Sequence, residues 1–399
     1  MFFFLLYNST DGADCSAKTP WFGVRALFGY YRVPIVDSNI STTSTPTTFE
    51  RCLFPGACLG ARNLEFAKMY FATNDATIDL ALTNPEEGCN TKYGFKTTSR
   101  LCHTCGKNWR RDGLHQCKSC PQEAGLNYVF IVLGIIVAAV VLVVLVKMTI
   151  DDAGKTKLSE SIQKCILNYF QVATLFSSIP LRWPQAMQTF FEIQGAFSTI
   201  GEHLVNPDCT ATNSSAADLF YAKQIAYLIS PILLIFIVYI IWKLYALKTG
   251  QEWHRTHENI DVKRHTIRST VNIKDKFVVT VCVLIYLFYP TLCKQAFGLF
   301  TCYEVKGKRY LLADLQEVCW QGRHSIYVGA VGIPQLLIFV VGLPVVGLYF
   351  LFRNRRRLDT VPVKARYGLF FGGYKEKRYY WEFFLVDEKL QSLLLVHLE

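Results

Sequence analysis

Charge is what this sequence has least of. Only 18% of its 399 residues are Asp, Glu, Lys or Arg, against about 25% in an average soluble domain. The shortage is worse on the acidic side, with 31 Asp and Glu against 42 Lys and Arg, a net charge of +11. Hydrophobic residues supply 51% and aromatics 14%, and the mean hydropathy is +0.21. So apolar a chain does not have the composition of a disordered protein, and an ordinary soluble enzyme is not expected. A basic excess in an apolar chain points to cationic loops of a membrane protein, not to nucleic acid as a partner.

The signatures of catalysis are missing too. There is no Gly-rich phosphate loop, no G-x-S-x-G, no H-E-x-x-H and no pair of carboxylates in a plausible cleft. No enzymatic activity, no cofactor and no metal centre is expected. His254, His257 and His265 share one basic loop; they read as solvated histidines, with a metal or pH-sensing cluster as the alternative.

Where charge vanishes altogether, the chain declares its class. Tyr128 to Val146 is an uncharged run of 19 residues closed by Lys147, enough at 1.5 Å per residue to span roughly 30 Å of hydrocarbon. Further runs place spans at about 127–147, 164–182, 223–246, 277–298 and 326–352, with a partial sixth at 381–398. The fold class expected is mainly α: a polytopic helical membrane bundle of five complete spans and a partial sixth. Pro334 and Pro344 predict kinks in the long fifth run. No charge sits at the centre of these five runs, so an ion route is not visible from charge alone. Asn168, Gln171, Thr280 and Gln335 could line a cavity or bond helix to helix.

Basic residues then orient the bundle. Segments 147–164, 243–276 and 353–378 carry four, eight and nine Lys or Arg, whereas 182–224 and 294–325 carry two and five. The positive-inside rule puts the first set in the cytoplasm and the N-terminal 125 residues outside. Cysteine agrees: none of the 14 falls in a basic loop, and eight lie in the N-terminal region. Glycosylation sequons at Asn8, Asn39 and Asn213 fall on the same outer side. The protein is expected at the plasma membrane, multi-pass, with an extracellular N-terminus. Arg353, Arg355, Arg356 and Arg357, directly after a span, are candidates for contact with anionic lipid. Gln185–Leu204 reads as an amphipathic helix on the membrane or as a segment packed on neighbouring helices. Met1-Phe-Phe-Phe-Leu-Leu-Tyr is too short for a secretory leader, and the last span stops early, so the chain reads as a fragment at both ends.

Three regions follow. Residues 1–51 read as a poorly structured, Thr/Ser-rich lead-in, 52–125 as a cysteine-rich extracellular domain and 126–399 as the transmembrane domain. Cys102-His-Thr-Cys105 and Cys117-Lys-Ser-Cys120 could hold zinc. Outside the cell a disulfide framework is favoured, because so small a region cannot be held by core burial. The disulfide candidates are Cys52, Cys58, Cys89, Cys102, Cys105, Cys117 and Cys120, with Cys302 and Cys319 closing an outer loop. Their connectivity stays open. His103 and His115 read as surface residues.

Ala57-Cys58-Leu59-Gly60, Cys89, Tyr93-Gly94 and two CxxC pairs before a span resemble the ectodomain ends of large membrane proteins of oomycetes, algae and other protists. Those ectodomains carry ephrin-receptor-like, EGF-like cysteine modules. The membrane part is similar through Trp183-Pro184 and Cys209, and through Cys302, Tyr310-Leu311, Asp314, Cys319 and His324. Tyr367-Gly368-Leu369-Phe370, Tyr374, Tyr379-Tyr380-Trp381-Glu382 and Lys389 add a partial match, with Val-Asp-Glu-Lys at 386–389 departing from it. The resemblance implies a membrane region like that of transient receptor potential channels, and hence a cation channel or channel-like sensor. The alternative is a receptor or adhesion protein that binds a ligand through the cysteine module without conducting ions. Expected partners are the lipid bilayer, an extracellular ligand or glycan, and further copies of the chain.

Overall fold

Short segments with a cysteine every few residues cannot bury a large core; hairpins and cross-links must hold them. The N-terminal part follows this logic in the structure, a computed structural model that describes residues 12–14, 24–34, 47–69, 87–112, 116–120, 124–152, 162, 164–166, 168–169, 209, 215–250, 272–358 and 360–384. The chain divides into two compact units: 1–124 with 207–219 and 302–321, and the remainder.

The first unit is made of antiparallel two-stranded sheets. Strand β1 (Ala13–Asp14) pairs with β2 (Arg25–Ala26), and β3 (Tyr30–Pro34) with β4 (Thr47–Arg51). The segment 1–51, expected to be a poorly structured lead-in, therefore supplies two of the hairpins. Val24, Ala26 and Phe49 bury there against Tyr30, an apolar pattern too sparse to register as periodicity. Helix α1 (Leu64–Met69) is a single short helix. Strand β5 (Cys58–Leu59) pairs with β6 (Gly88–Cys89), and β7 (Trp109–Asp112) with β8 (Gln116–Ser119). Gly94 has φ +80°, and a Cβ there would lie 2.0 Å from the Trp109 ring, so only glycine fits.

The last hairpin comes from far along the sequence. Strand β9 (Cys302–Val305) pairs with β10 (Lys308–Leu311) through a two-residue turn in which Lys306 and Gly307 both have positive φ, 48° and 78°. That is the type I′ geometry whose twist matches the strands. Val305, Tyr310 and Leu315 enter one core with Val33, Ala57, Phe95, Leu101 and the cysteines 52, 58, 89 and 102. Residues 302–321 thus belong to the cysteine-rich unit, although they lie within the stretch assigned by sequence to the transmembrane domain.

The second unit is mostly helical. Among the described residues, four helices are long and apolar enough to cross a membrane: α2 (Ala124–Asp152), α3 (Ala216–Thr249), α4 (Ile273–Gly298) and α5 (Gly322–Asn354). In such a run the helix is the form that satisfies every backbone group internally. Along its apolar stretch α4 is 44% buried, against 12%, 6% and 17% for α2, α3 and α5, so among these four α4 is the most enclosed. Val146 of α2 packs on Val279, Val283 and Tyr286 of α4, joined by Leu369 of α6 (Val361–Phe371). Around the two prolines α5 widens into π turns at Val328–Gly332 and Leu336–Gly342, which absorb the missing N–H groups. The Tyr289 hydroxyl donates to the Val340 carbonyl, 3.3 Å away and four residues before Pro344. Most of the expected span at 164–182 and of the partial span at 381–398 lies outside the described residues, as do Gln185–Leu204 and the three loop histidines.

Candidate functional site

Counting charges along each apolar run finds none at its centre, yet the fold brings an ion pair against the middle of α4. Glu382, on the short helical turn Trp381–Phe384, is 1% exposed. Its Oε2 lies 3.5 Å from the Lys164 Nζ, with the lysine side chain 7% exposed. The Tyr374 hydroxyl donates to the same oxygen at 2.8 Å, and Tyr286 reaches Oε1 at 3.0 Å. The Tyr286 hydroxyl is also 2.7 Å from Asn168 Oδ1; its single hydrogen serves one acceptor, and the amide turned over would donate in return. The Lys164 ammonium sits 4.5 Å over the Tyr374 ring.

Depth gives this cluster its weight. Tyr286 is halfway along α4, about 20 Å from Ile273 at 1.5 Å per residue. Two charges withdrawn from water cost several kcal/mol each, recovered only when their geometry and remaining hydrogen bonds are good. Three polar groups around one carboxylate meet that condition. Sequence reasoning missed the pair because Lys164 and Glu382 sit at run ends and nothing local shows that they meet. The signal available was the repeated aromatic-polar pattern Tyr374, Tyr379-Tyr380-Trp381-Glu382, noticed only through resemblance.

A second polar locus joins α3 and α5. Gln335 Nε2 donates to the Gln224 carbonyl at 2.8 Å. Both side chains are buried, at 1% and 0% exposed, and Gln224 Nε2, Gln224 Oε1 and Gln335 Oε1 have no hydrogen-bond partner among the described residues. Of the other polar residues singled out, Thr280 bonds helix to helix, accepting from Trp242 Nε1 at 3.1 Å; Gln171 lies outside the described residues. His324, fully buried at the start of α5, has its Nε2 3.1 Å from the carbonyl of Leu299, the cap residue of α4. Donation there satisfies a helix-end acceptor. Asp275, 3% exposed, accepts from Arg366 at 2.5 Å and ties α4 to α6.

In the cysteine-rich unit the sulfurs pair as Cys52–Cys58, Cys89–Cys102, Cys105–Cys117, Cys120–Cys209 and Cys302–Cys319. Each CxxC is split between two bridges, so the four thiolates of a zinc site are not together. Cys209 had no partner in the sequence reading; a gap of 89 residues gives no local cue. The distal hairpin is held by more than its core residues. Arg100 Nη1 donates to the Leu315 carbonyl at 2.8 Å, and its guanidinium lies 3.8 Å over the Tyr310 ring. His103 Nε2 is 2.8 Å from the Leu312 carbonyl, and the Thr104 hydroxyl donates to Asp314 at 3.5 Å. Lys306, at the turn, pairs with Glu50 at 2.9 Å. Burial, with Glu50 beside it, raises the Tyr303 phenol above its ordinary range, against a smaller opposing effect of Arg51. His103, expected at the surface, is 3% exposed: its ring fills the seam beneath the hairpin, which local sequence could not reveal.

Arg353, Arg355, Arg356 and Arg357 are exposed at the end of α5. Asn8, Asn39, Asn213, Cys15 and His115 lie outside the described residues.

No protein-family model matches the chain, and no solved structure matches it. The chain is similar to cysteine repeat modular protein A of Toxoplasma gondii, 24% identical over 136 residues. The match covers 32% of this chain and 4% of that protein, so the chain corresponds to a small part of its relative.

Proposed function

We propose that this chain is a channel-like membrane sensor, with the cysteine-rich unit as its sensing element and the helical unit as its conducting one. The observation that carries this reading is the Lys164–Glu382 pair at the level of mid-α4. Ionisable groups inside a membrane bundle are expensive and serve most often in ion routes, proton relays or gates. The Gln224 side-chain amide and Gln335 Oε1, unpartnered among the described residues, add polar groups that water or a passing cation could satisfy. The finer assignments belong to the same proposal: five spans and a partial sixth, the N-terminus outside at the plasma membrane, glycans on Asn8, Asn39 and Asn213, and assembly with further copies.

The test is cation flux from liposomes carrying the purified chain. Flux above that of protein-free vesicles is expected, with altered rate or ion preference in Glu382→Gln and in Gln224→Leu. Absence of flux from correctly inserted protein, with and without reduction of the disulfides, would overturn the channel reading.

A receptor reading is favoured by one other observation, the seating of the 302–321 hairpin in the cysteine-rich core. This hairpin is covalently continuous with α4 and α5, so a ligand that shifts it pulls directly on two helices. Here the cysteine-rich unit binds a ligand or glycan and the helices transmit without conducting. Ligand-dependent protection of the hairpin from protease, in protein that passes no ions, would select this alternative.

A further inference from the structure

Near the end of α5 lies an open groove of about 390 Å³, lined by Val345, Leu348, Tyr349, Phe352, Tyr379 and Tyr380. Its walls are apolar and aromatic, and its rim is basic. Arg353 Nη1 donates to the Tyr349 hydroxyl at 3.1 Å. The Arg355 guanidinium lies 4.3 Å over the Phe352 ring, and that of Arg378 lies 5.4 Å over Trp381, next to Tyr380. Three cations are thus positioned by aromatic groups in or beside the groove.

None of the three has a carboxylate within ion-pair distance among the described residues. The excess is regional: residues 353–378 hold nine Lys or Arg against Asp359 and Glu376. A guanidinium stacked on a ring still presents N–H donors at its edge, in the fork that suits a phosphate. Because α5 is a candidate membrane span, its basic end falls where hydrocarbon gives way to headgroups. An occupant must be apolar at one end and anionic at the other.

The geometry points to a binding site for an anionic phospholipid, with an acyl chain in the groove and its phosphate on Arg353, Arg355 and Arg378. The site is independent of ion conduction. It also goes beyond general attraction of basic loops to a charged surface, because it requires the groove.

The test uses the full chain in detergent and three probes: fluorescent phosphatidylinositol bisphosphate, fluorescent phosphatidylcholine, and soluble inositol trisphosphate. The anionic lipid is expected to bind at least about tenfold more tightly than phosphatidylcholine, and each Arg→Ala change at 353, 355 or 378 to weaken it about fivefold. Leu348→Trp fills the groove and keeps the arginines; it is expected to weaken the lipid and leave inositol trisphosphate unchanged. Because a Trp on an exposed apolar surface is tolerated readily, Val345→Trp serves as a second filling variant. Equal binding of the two lipids would overturn the site. So would full lipid affinity in both Trp variants, or inositol trisphosphate binding as tightly as the lipid, which would leave only a site for free phosphate.

Discussion

The carboxylate of Glu382 takes the Tyr286 hydroxyl on one oxygen, at 3.0 Å, and faces the Lys164 ammonium on the other, at 3.5 Å. With both charges buried, removing one strands the other. Glu382→Gln is expected to destabilise the helical unit by about 3–5 kcal/mol, whereas Lys164→Met with Glu382→Leu should recover most of that loss. Thermal unfolding of purified chain in detergent reads both. A double variant as unstable as the single would mean that the carboxylate acts mainly by anchoring the two tyrosines.

Arg366 and Asp275 form a second, half-sheltered pair, with side chains 32% and 3% exposed. Arg366→Ala leaves a buried carboxylate without its cation and should cost about 1–3 kcal/mol. Asp275→Asn with Arg366→Ala should cost less than Arg366→Ala alone, in the same melting assay.

Leu315, fully buried, sits in one core with Leu101, over two hundred residues away. Leu315→Ala and Leu101→Ala should each cost about 2–5 kcal/mol and shift the same unfolding transition. If Leu315→Ala shifted only the helical transition, the hairpin would belong to the membrane part after all.

Replacing Cys302 and Cys319 together by serine opens a loop with a sequence separation of 17, a loss of about 3 kcal/mol on the chain-entropy model. The expected readout is faster proteolysis between β9 and β10, with cleavage elsewhere in the cysteine-rich unit less affected.

Tyr303 titrates late because burial and Glu50 disfavour its phenolate. A raised folded-state value means the fold favours the neutral phenol. Its contribution is therefore complete below the ordinary tyrosine range and is lost as pH rises through the raised value. Subtracting the 295 nm absorbance titration of Tyr303→Phe from that of the unaltered chain should isolate one phenol ionising above the ordinary range; one ionising within it would contradict this account.

The long helices were legible because their signal is local and repeated: Tyr128–Val146 needs no partner to be read. The prolines at 334 and 344 likewise announced a disturbance, which the structure resolves as π turns. Contacts between distant segments were not legible. Glu382 looks like the edge of a broken span until Tyr286 and Lys164 are placed beside it. Val305, Tyr310 and Leu315 are unremarkable in sequence, so the Cys302–Cys319 loop read as a local staple and not as part of a remote core. Cys209 shows the same limit, since pairing is a property of the fold and spacing alone leaves every partner open.

The Cys120–Cys209 bond constrains topology through parity. Two thiols oxidise to one another from one side of a bilayer, so the chain between them must cross an even number of times. If α2 is one crossing, keeping both cysteines in one compartment calls for a second crossing between them. Between Cys209 and Cys302 lie α3 and α4, an even count if both cross, so all three cysteines can share one compartment. For a chain threaded through a bilayer, one covalent bond thereby narrows the set of topologies to those of even parity between its two sulfurs.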